Sequence, residues 1–194
     1  MTEPAPHSSA EPVQSAPVAH EDPTPPDARR VSPRGAGGAE AGARALAEAG
    51  IPEALARLAQ AEDKAAALNA HGGELSEKLG IEYLEASAER VIARMPVEGN
   101  RQPVGLLHGG ATISLAESLG SMGSFIHGAA LGRVAVGLEV SATHHSSARS
   151  GWVVATAEAL QLGRSVATYE VTVRAQRDQR RISTIRVTCF LKEV

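Results

Sequence analysis

A single cysteine, Cys189, stands in 194 residues, so no disulfide can form within the chain. It lies in an apolar, strand-like run and reads as a small core hydrophobe, which fits a reducing compartment. No stretch of about 18 apolar residues occurs, and the N-terminus has no apolar signal core. Membrane insertion and export are therefore not expected, and a cytoplasmic location is. The net charge is −3 and no basic cluster stands out, so nucleic-acid binding is not expected either. No metal site is expected. The adjacent His144 and His145 point to opposite faces of a strand, and no cysteine cluster or HxxxH spacing accompanies them. A phosphate-binding GxxxxGK[ST] loop and a GxSxG nucleophile elbow are both missing.

What is present divides into three parts. Residues 1–40 hold eight of the eleven prolines and no aromatic residue, too little apolar area to offset the entropy of ordering, and read as a disordered extension. Residues 41–70 are rich in Ala, Leu and Glu and predict short helices over 39–50 and 52–69, with Pro52 at a first-turn position. Residues 71–194 alternate apolar and polar side chains over 79–86, 90–96, 133–144, 152–160, 165–174 and 182–191, which predicts six strands. In the third of these, Val134, Val136, Leu138 and Val140 share one face. In the last, Ser183, Ile185, Val187, Cys189 and Leu191 do. One long helix over 109–127 interrupts the strands after the second. The order predicts an α+β fold, an antiparallel sheet around one central helix.

That helix and the loop before it, Gln102-Pro-Val-Gly-Leu-Leu-His-Gly-Gly-Ala-Thr-Ile-Ser-Leu-Ala-Glu117-Ser-Leu-Gly-Ser121, hold the unusual chemistry. Gly109-Gly110 permits backbone conformations closed to other residues and close approach by another molecule. The first amides of a helix lack intrahelical partners and favour a negative oxygen. Leu115, Ala116, Leu119, Met122, Gly123 and Ile126 form the apolar side. Ser114, Glu117, Ser118 and Ser121 form a second stripe with one charge and three hydroxyls, and no Lys or Arg occurs between His108 and Arg133. A solvated helix would be laced with opposite charges, so this stripe is expected to meet a ligand or a partner subunit.

The run from Gln102 to Ser121 resembles the hotdog-fold acyl-CoA thioesterases. It is most similar to the branch that includes the phenylacetate-pathway, the Arthrobacter-type 4-hydroxybenzoyl-CoA and the 1,4-dihydroxy-2-naphthoyl-CoA thioesterases. Val136-Gly-Leu-Glu-Val-Ser-Ala-Thr-His144, Ser147-Ala-Arg-Ser-Gly151 and Leu162-Gly163 continue the resemblance, which covers about residues 65–194. It implies the hotdog fold and hydrolysis of an acyl-CoA with an aromatic or similar short, bulky acyl group. A place in menaquinone synthesis and one in phenylacetate or benzoate metabolism are both open. Coenzyme A would belong to the substrate, with no separate cofactor. The resemblance also implies a homodimer as the smallest active unit, commonly a homotetramer.

The resemblance implies roles as well. The backbone N–H of Gly109 would hold the developing oxyanion. Glu117 would attack the carbonyl or act as general base on water. Gln102 and His108 match positions that orient the thioester or the carboxylate, and Ser121 could hold the attacking water. His144 matches a position near the acyl group. Ser147, Arg149, Gly163, Arg164 and Ser165 match the nucleotide-binding side, where Arg suits a phosphate. This chain reads Leu-Gly-Arg164-Ser165 where relatives often place the basic residue after the serine. A hotdog dehydratase or hydratase is a second reading, though the Leu-Ala-Glu-Ser run does not match its pattern. A non-catalytic acyl-CoA sensor or scaffold, with residues 1–40 as a docking arm, is a third.

Overall fold

A computed structural model describes residues 53–193. The extension over 1–40 and the expected helix over 39–50 lie outside the described residues. The segment expected as one helix over 52–69 is two, α1 (Glu53–Gln60) and α2 (Lys64–His71). Asp63 causes the break. Its backbone is extended, and its carboxylate accepts the Ala66 N–H at 2.9 Å, so it caps α2 instead of continuing α1. Leu58, Ala65 and Leu68 bury the apolar sides of the pair.

A third short helix, α3 (Glu74–Leu79), occupies residues whose alternation had not suggested a helix. It ends at Gly80, which takes a left-handed backbone (φ 68°), and the N–H groups of Gly80 and Ile81 donate to Glu77 and Ser76 carbonyls. The first strand therefore starts later than residue 79. β1 (Glu82–Ala86) and β2 (Arg90–Pro96) form a hairpin, and α4 (Gly109–Ala130) follows, three residues longer than expected. Then come β3 (Arg133–His144), β4 (Trp152–Leu162), β5 (Val166–Ala175) and β6 (Arg181–Glu193).

The six strands form one antiparallel sheet in the order β1-β2-β4-β5-β6-β3, and α4 lies across its inner face. Leu115, Ala116 and Leu119 are fully buried there. Two glycines allow the close seat. A Cβ on Gly120 would stand 2.7 Å from Val187, and one on Gly123 would stand 2.8 Å from the Tyr169 ring. Tyr169, fully buried, donates its hydroxyl to the Ala88 carbonyl at 2.6 Å and ties β5 to the β1–β2 hairpin. In β6, Ser183, Ile185, Val187, Cys189 and Leu191 all face the core, as the alternation predicts.

β3 departs from its pattern. Leu138 is an extra residue between the pairs Gly137–Cys189 and Glu139–Thr188, a bulge that reverses the side-chain phase. Val136 and Leu138 are consequently exposed, at 49% and 65%, while Val140 and Ala142 pack against the core. The four valines and leucines expected on one face are thus divided by the bulge.

Candidate functional site

Residues 97–108 are braced before they reach α4. The buried side-chain amide of Asn100 donates to the carbonyls of Leu79 and Pro96, and the backbone carbonyl of Asn100 accepts the His108 N–H at 2.9 Å. Arg101 and Leu107 form a bridge, and Gln102 closes a small turn with Leu106 and Gly105. This turn presents Gln102, whose side chain has no hydrogen-bond partner among the described residues, to a cavity of about 310 Å³. Gly109, Thr112, His144, Ser146, Ser147 and Ile182 are among the other lining residues.

The Gly-Gly pair begins α4 and adopts no left-handed backbone. Glycine is needed there for space. A Cβ on Gly109 would lie 2.8 Å from Nε2 of His144, and one on Gly110 would lie 3.0 Å from Nδ1 of His108. His108 is the helix cap, its Nδ1 accepting the Gly110 N–H at 2.8 Å. A neutral ring with Nδ1 as acceptor carries its proton on Nε2, so His108 presents an N–H donor outward. The N–H groups of Ala111 and Thr112 donate to the His108 carbonyl. Among the described residues, no acceptor faces the N–H of Gly109. One helix amide is therefore left open, beside a cavity and under an imidazole.

His144 reaches this point from β3 of the same chain. Its Nδ1 lies 2.8 Å from the hydroxyl of Ser183, which is fully buried on β6. His145 faces the other way and meets Thr184 at 3.0 Å. The sequence places Ser183 only on the core face of the last strand and gives Asn100 and Ile182 no role in the site. The signal available for Ser183 was its place on the core-facing side of the last strand, two residues before Ile185.

Glu117 does not join this group. It is exposed, its Oε1 lies beside Gly137 of β3, and it has no ion-pair or hydrogen-bond partner among the described residues. Eight residues of helix separate it from Gly109, a rise of about 12 Å, more than a glutamate can span toward a shared carbonyl. The hydroxyl stripe also divides. Ser114 and Ser118 donate to Gly110 and Ser114 carbonyls of their own helix, and Ser121 lies 4.0 Å from Cys189 on β6.

The expected nucleotide side is split within one chain. Ser147 lines the cavity and Arg149 sits two residues on, exposed. Gly163, Arg164 and Ser165 form the β4–β5 turn at the opposite end of α4, where the Gly163 carbonyl meets Nε2 of His127 at 2.8 Å. Among the described residues, no three His, Cys, Asp or Glu side chains gather to hold a metal, and no helix is long and apolar enough to cross a membrane.

The thioesterase superfamily profile matches residues 104–182, from the Gln102 turn to the start of β6. The proofreading thioesterase EntH of Cronobacter turicensis is 41% identical over 116 residues, which span 59% of this chain and 84% of that relative. The chain belongs to the thioesterase superfamily. This thioesterase superposes on thioesterase PA1618 of Pseudomonas aeruginosa, solved as a glutamine-to-alanine variant, with a TM-score of 0.62 and 34% identity. The match covers 69% of this chain and 97% of that one. Thioesterase HI1161 of Haemophilus influenzae follows at 0.58 and 30%, covering 64% and 87%. The family fold is the hotdog expected from the sequence, here with a six-stranded sheet that does not close. The protein is a thioester hydrolase.

Proposed function

We propose that this thioesterase hydrolyses acyl-CoA thioesters with an aromatic or similarly compact acyl group, at a site built from two chains. The carbonyl oxygen binds the Gly109 N–H, where a preformed helix-terminal donor stabilises the charge of the tetrahedral intermediate. Gln102 and the Nε2–H of His108 orient the thioester. Glu117 of a second copy attacks the carbonyl, giving a mixed anhydride that water then cleaves, or takes a proton from the attacking water, which Ser121 helps to hold. Either way the coenzyme A thiolate leaves with the C–S electron pair and is protonated, and the acyl group becomes a free acid. His144 packs beside the acyl group, and Ser147, Arg149, Gly163, Arg164 and Ser165 contact the nucleotide, the last three from the partner.

The observation that carries this reading is the open Gly109 amide beside a cavity walled by Leu106, Leu107, Ala148 and Ile182. At about 310 Å³ the cavity stands at the small end of ligand pockets and suits a compact acyl group better than a long chain. The separation of Gly109 from Glu117 supports the two-chain site, as does the open edge of β3 beside Glu117. The working unit is then a homodimer, with a homotetramer as two such dimers. Two solved structures of the Staphylococcus aureus protein SAV0944, each 32% identical to this chain, add support. One carries a glutamate-to-alanine and the other a glutamine-to-alanine substitution. The two positions are 15 apart, as Gln102 and Glu117 are.

The test is thiol release from a panel of phenylacetyl-, 4-hydroxybenzoyl-, 1,4-dihydroxy-2-naphthoyl- and straight-chain acyl-CoAs. Glu117→Gln keeps the shape and removes the base or nucleophile, so turnover should fall at least ~100-fold. Turnover that survives the substitution removes Glu117 from the reaction. A straight-chain substrate at the top of the panel removes the aromatic reading.

A further inference from the structure

The hairpin between β5 and β6 carries Arg174, Arg177, Arg180 and Arg181 against a single acid, Asp178. Two of these arginines are joined to the cavity wall. Arg180 NH1 donates to the Ser147 carbonyl at 2.8 Å, and the Arg181 carbonyl accepts the Ser146 hydroxyl at 2.5 Å. Ser146, Ser147 and Ile182, the residue after Arg181, all line the cavity.

The acids nearby do not cancel this charge. Asp178 lies 3.6 Å from Arg180 Nε in an exposed pair, which leaves NH2 without a partner among the described residues. Arg181 has only a long contact from NH1 to the Thr184 hydroxyl, 3.4 Å. On the neighbouring loop Glu98 is paired with Arg101, whose Nε donates to the Arg149 carbonyl.

The turn is also held rigidly. Gln179 has a φ of 57°, the one non-glycine residue with positive φ among those described. Its N–H donates to Ala175, its carbonyl accepts Arg174 NH1, and its side-chain amide donates to Gln176. A sparsely populated backbone persists only where its surroundings over-determine it. Here three bonds fix the direction in which the chain leaves toward Arg180 and Arg181. A protein of net charge −3 thus holds the Arg180 guanidinium at a cavity-lining residue, with the under-neutralised Arg181 next to it in the chain. Such a field concentrates anions at the cavity.

We propose that Arg180 and Arg181 form the phosphate-binding rim of the cavity and hold the phosphates of the coenzyme A carrier while its thioester end reaches Gly109. Guanidinium forks match phosphate oxygens in geometry and charge. The proposal rests on the thioesterase reading and adds the hairpin as its carrier-specificity element. It predicts that the enzyme separates coenzyme A thioesters from the same acyl groups on carriers without phosphate.

Binding, rather than turnover, gives the cleanest test. Titration calorimetry of the full chain with coenzyme A and with pantetheine, which has no phosphate, should show coenzyme A binding at least ~10-fold tighter. In the Arg180→Gln/Arg181→Gln double variant this ratio should collapse toward one, with the affinity for pantetheine moving less than about twofold. Three results overturn the proposal: a wild type that binds both ligands alike, a double variant that keeps the wild-type ratio, or equal weakening of both ligands. The last would mean that Arg180 acts only by holding the Ser147 carbonyl. A parallel Arg164→Gln variant that alone erases the preference would place the phosphates at the β4–β5 turn and also overturn the hairpin assignment. None of these readings depends on Glu117, so a failed catalytic assignment is recognised separately.

Discussion

At the β1 edge of the sheet, the side-chain amide of Asn69 accepts the Tyr83 N–H at 2.8 Å and donates to the Tyr83 carbonyl at 2.9 Å. β1 is only five residues long, α2 lies against it, and Glu82–Arg94 and Glu85–Arg90 ion pairs add charge along it. At the β3 edge, twelve residues run with a partner strand on one side only, and Val136 and Leu138 stand exposed on either side of Gly137, which the Glu117 carboxylate approaches. An unpaired edge is a template for another strand, and folded proteins usually block it with short strands, charges or a covering element. The β1 edge is short and covered, whereas the β3 edge is long and uncovered, with only the Leu138 bulge and an exposed Glu139–Arg186 pair to interrupt it. The contrast fits the proposed two-chain site, in which a second copy of this chain covers β3 and brings its Glu117 to a foreign Gly109.

The sharpest way to break this comparison is to charge the open edge. Val136→Lys with Leu138→Lys should yield a monomer by sedimentation, with thiol release down at least ~100-fold, because Glu117 and Gly109 of one chain stay about 12 Å apart. A monomer that still turns over would end the two-chain site, and an unchanged oligomer would move the contact elsewhere. Next comes complementation. Gly109→Ala forces a Cβ into the His144 ring, and Glu117→Gln removes the carboxylate. Each alone should be nearly inactive. Mixed and allowed to exchange in equal amounts, they should regain about a quarter of wild-type activity, since half the dimers are mixed and each has one intact site. No recovery would mean that both residues must come from one chain.

Smaller effects should mark the closed edge and the shared core. Asn69→Ala leaves two backbone groups of Tyr83 without their partner and should cost about 1–3 kcal/mol in urea unfolding, with no change of oligomeric state. Gly123→Ala pushes a methyl into the Tyr169 ring and should cost a similar ~1–3 kcal/mol. The smallest effect concerns pH. Burial, followed by the neighbouring Cys189 and Glu89, pushes the Tyr169 phenol above its ordinary value of 10. The unfolded chain releases that proton near pH 10 while the fold retains it. The contribution is therefore complete below pH 10 and is lost as the pH rises beyond it. Urea midpoints measured from pH 8 to 11 should fall at the alkaline end, and Tyr169→Phe should fall less steeply.

Much of the fold was legible because its elements are bounded by strong local signals. The helix start at His108-Gly-Gly and the alternation of β6 could be read from side-chain period and capping chemistry alone. α3 was not legible because Glu-Leu-Ser-Glu-Lys-Leu is too short to show helical period, and its stop at Gly80 is a backbone fact. The break between α1 and α2 had a signal, Asp63 before Lys-Ala-Ala, which the overall helical composition outweighed. Within the site, Gly109, Gln102, His144 and Ser147 converge in one chain as their order suggested. Glu117 and the 163–165 turn do not: the helix spacing alone already sets Glu117 about 12 Å from Gly109, while the place of the turn at the far end of α4 depends on how the strands pack. The hairpin arginines passed as ordinary turn residues, since their bonds to Ser146 and Ser147 join segments more than thirty positions apart.

The bulge at Leu138 has a consequence for which histidine this protein can use. With regular alternation onward from Gly137, Thr143 and His145 would turn inward and His144 would stand on the outer face. One unpaired residue therefore selects between two adjacent imidazoles. Natural length variation should follow from this. Losing the residue at 138 only irons the strand flat and leaves His144 where it is. Losing one residue between 139 and 143 sets His145 opposite Ser183, and gaining one sets Thr143 there. That span of five positions should be the least forgiving of insertions and deletions in the whole strand.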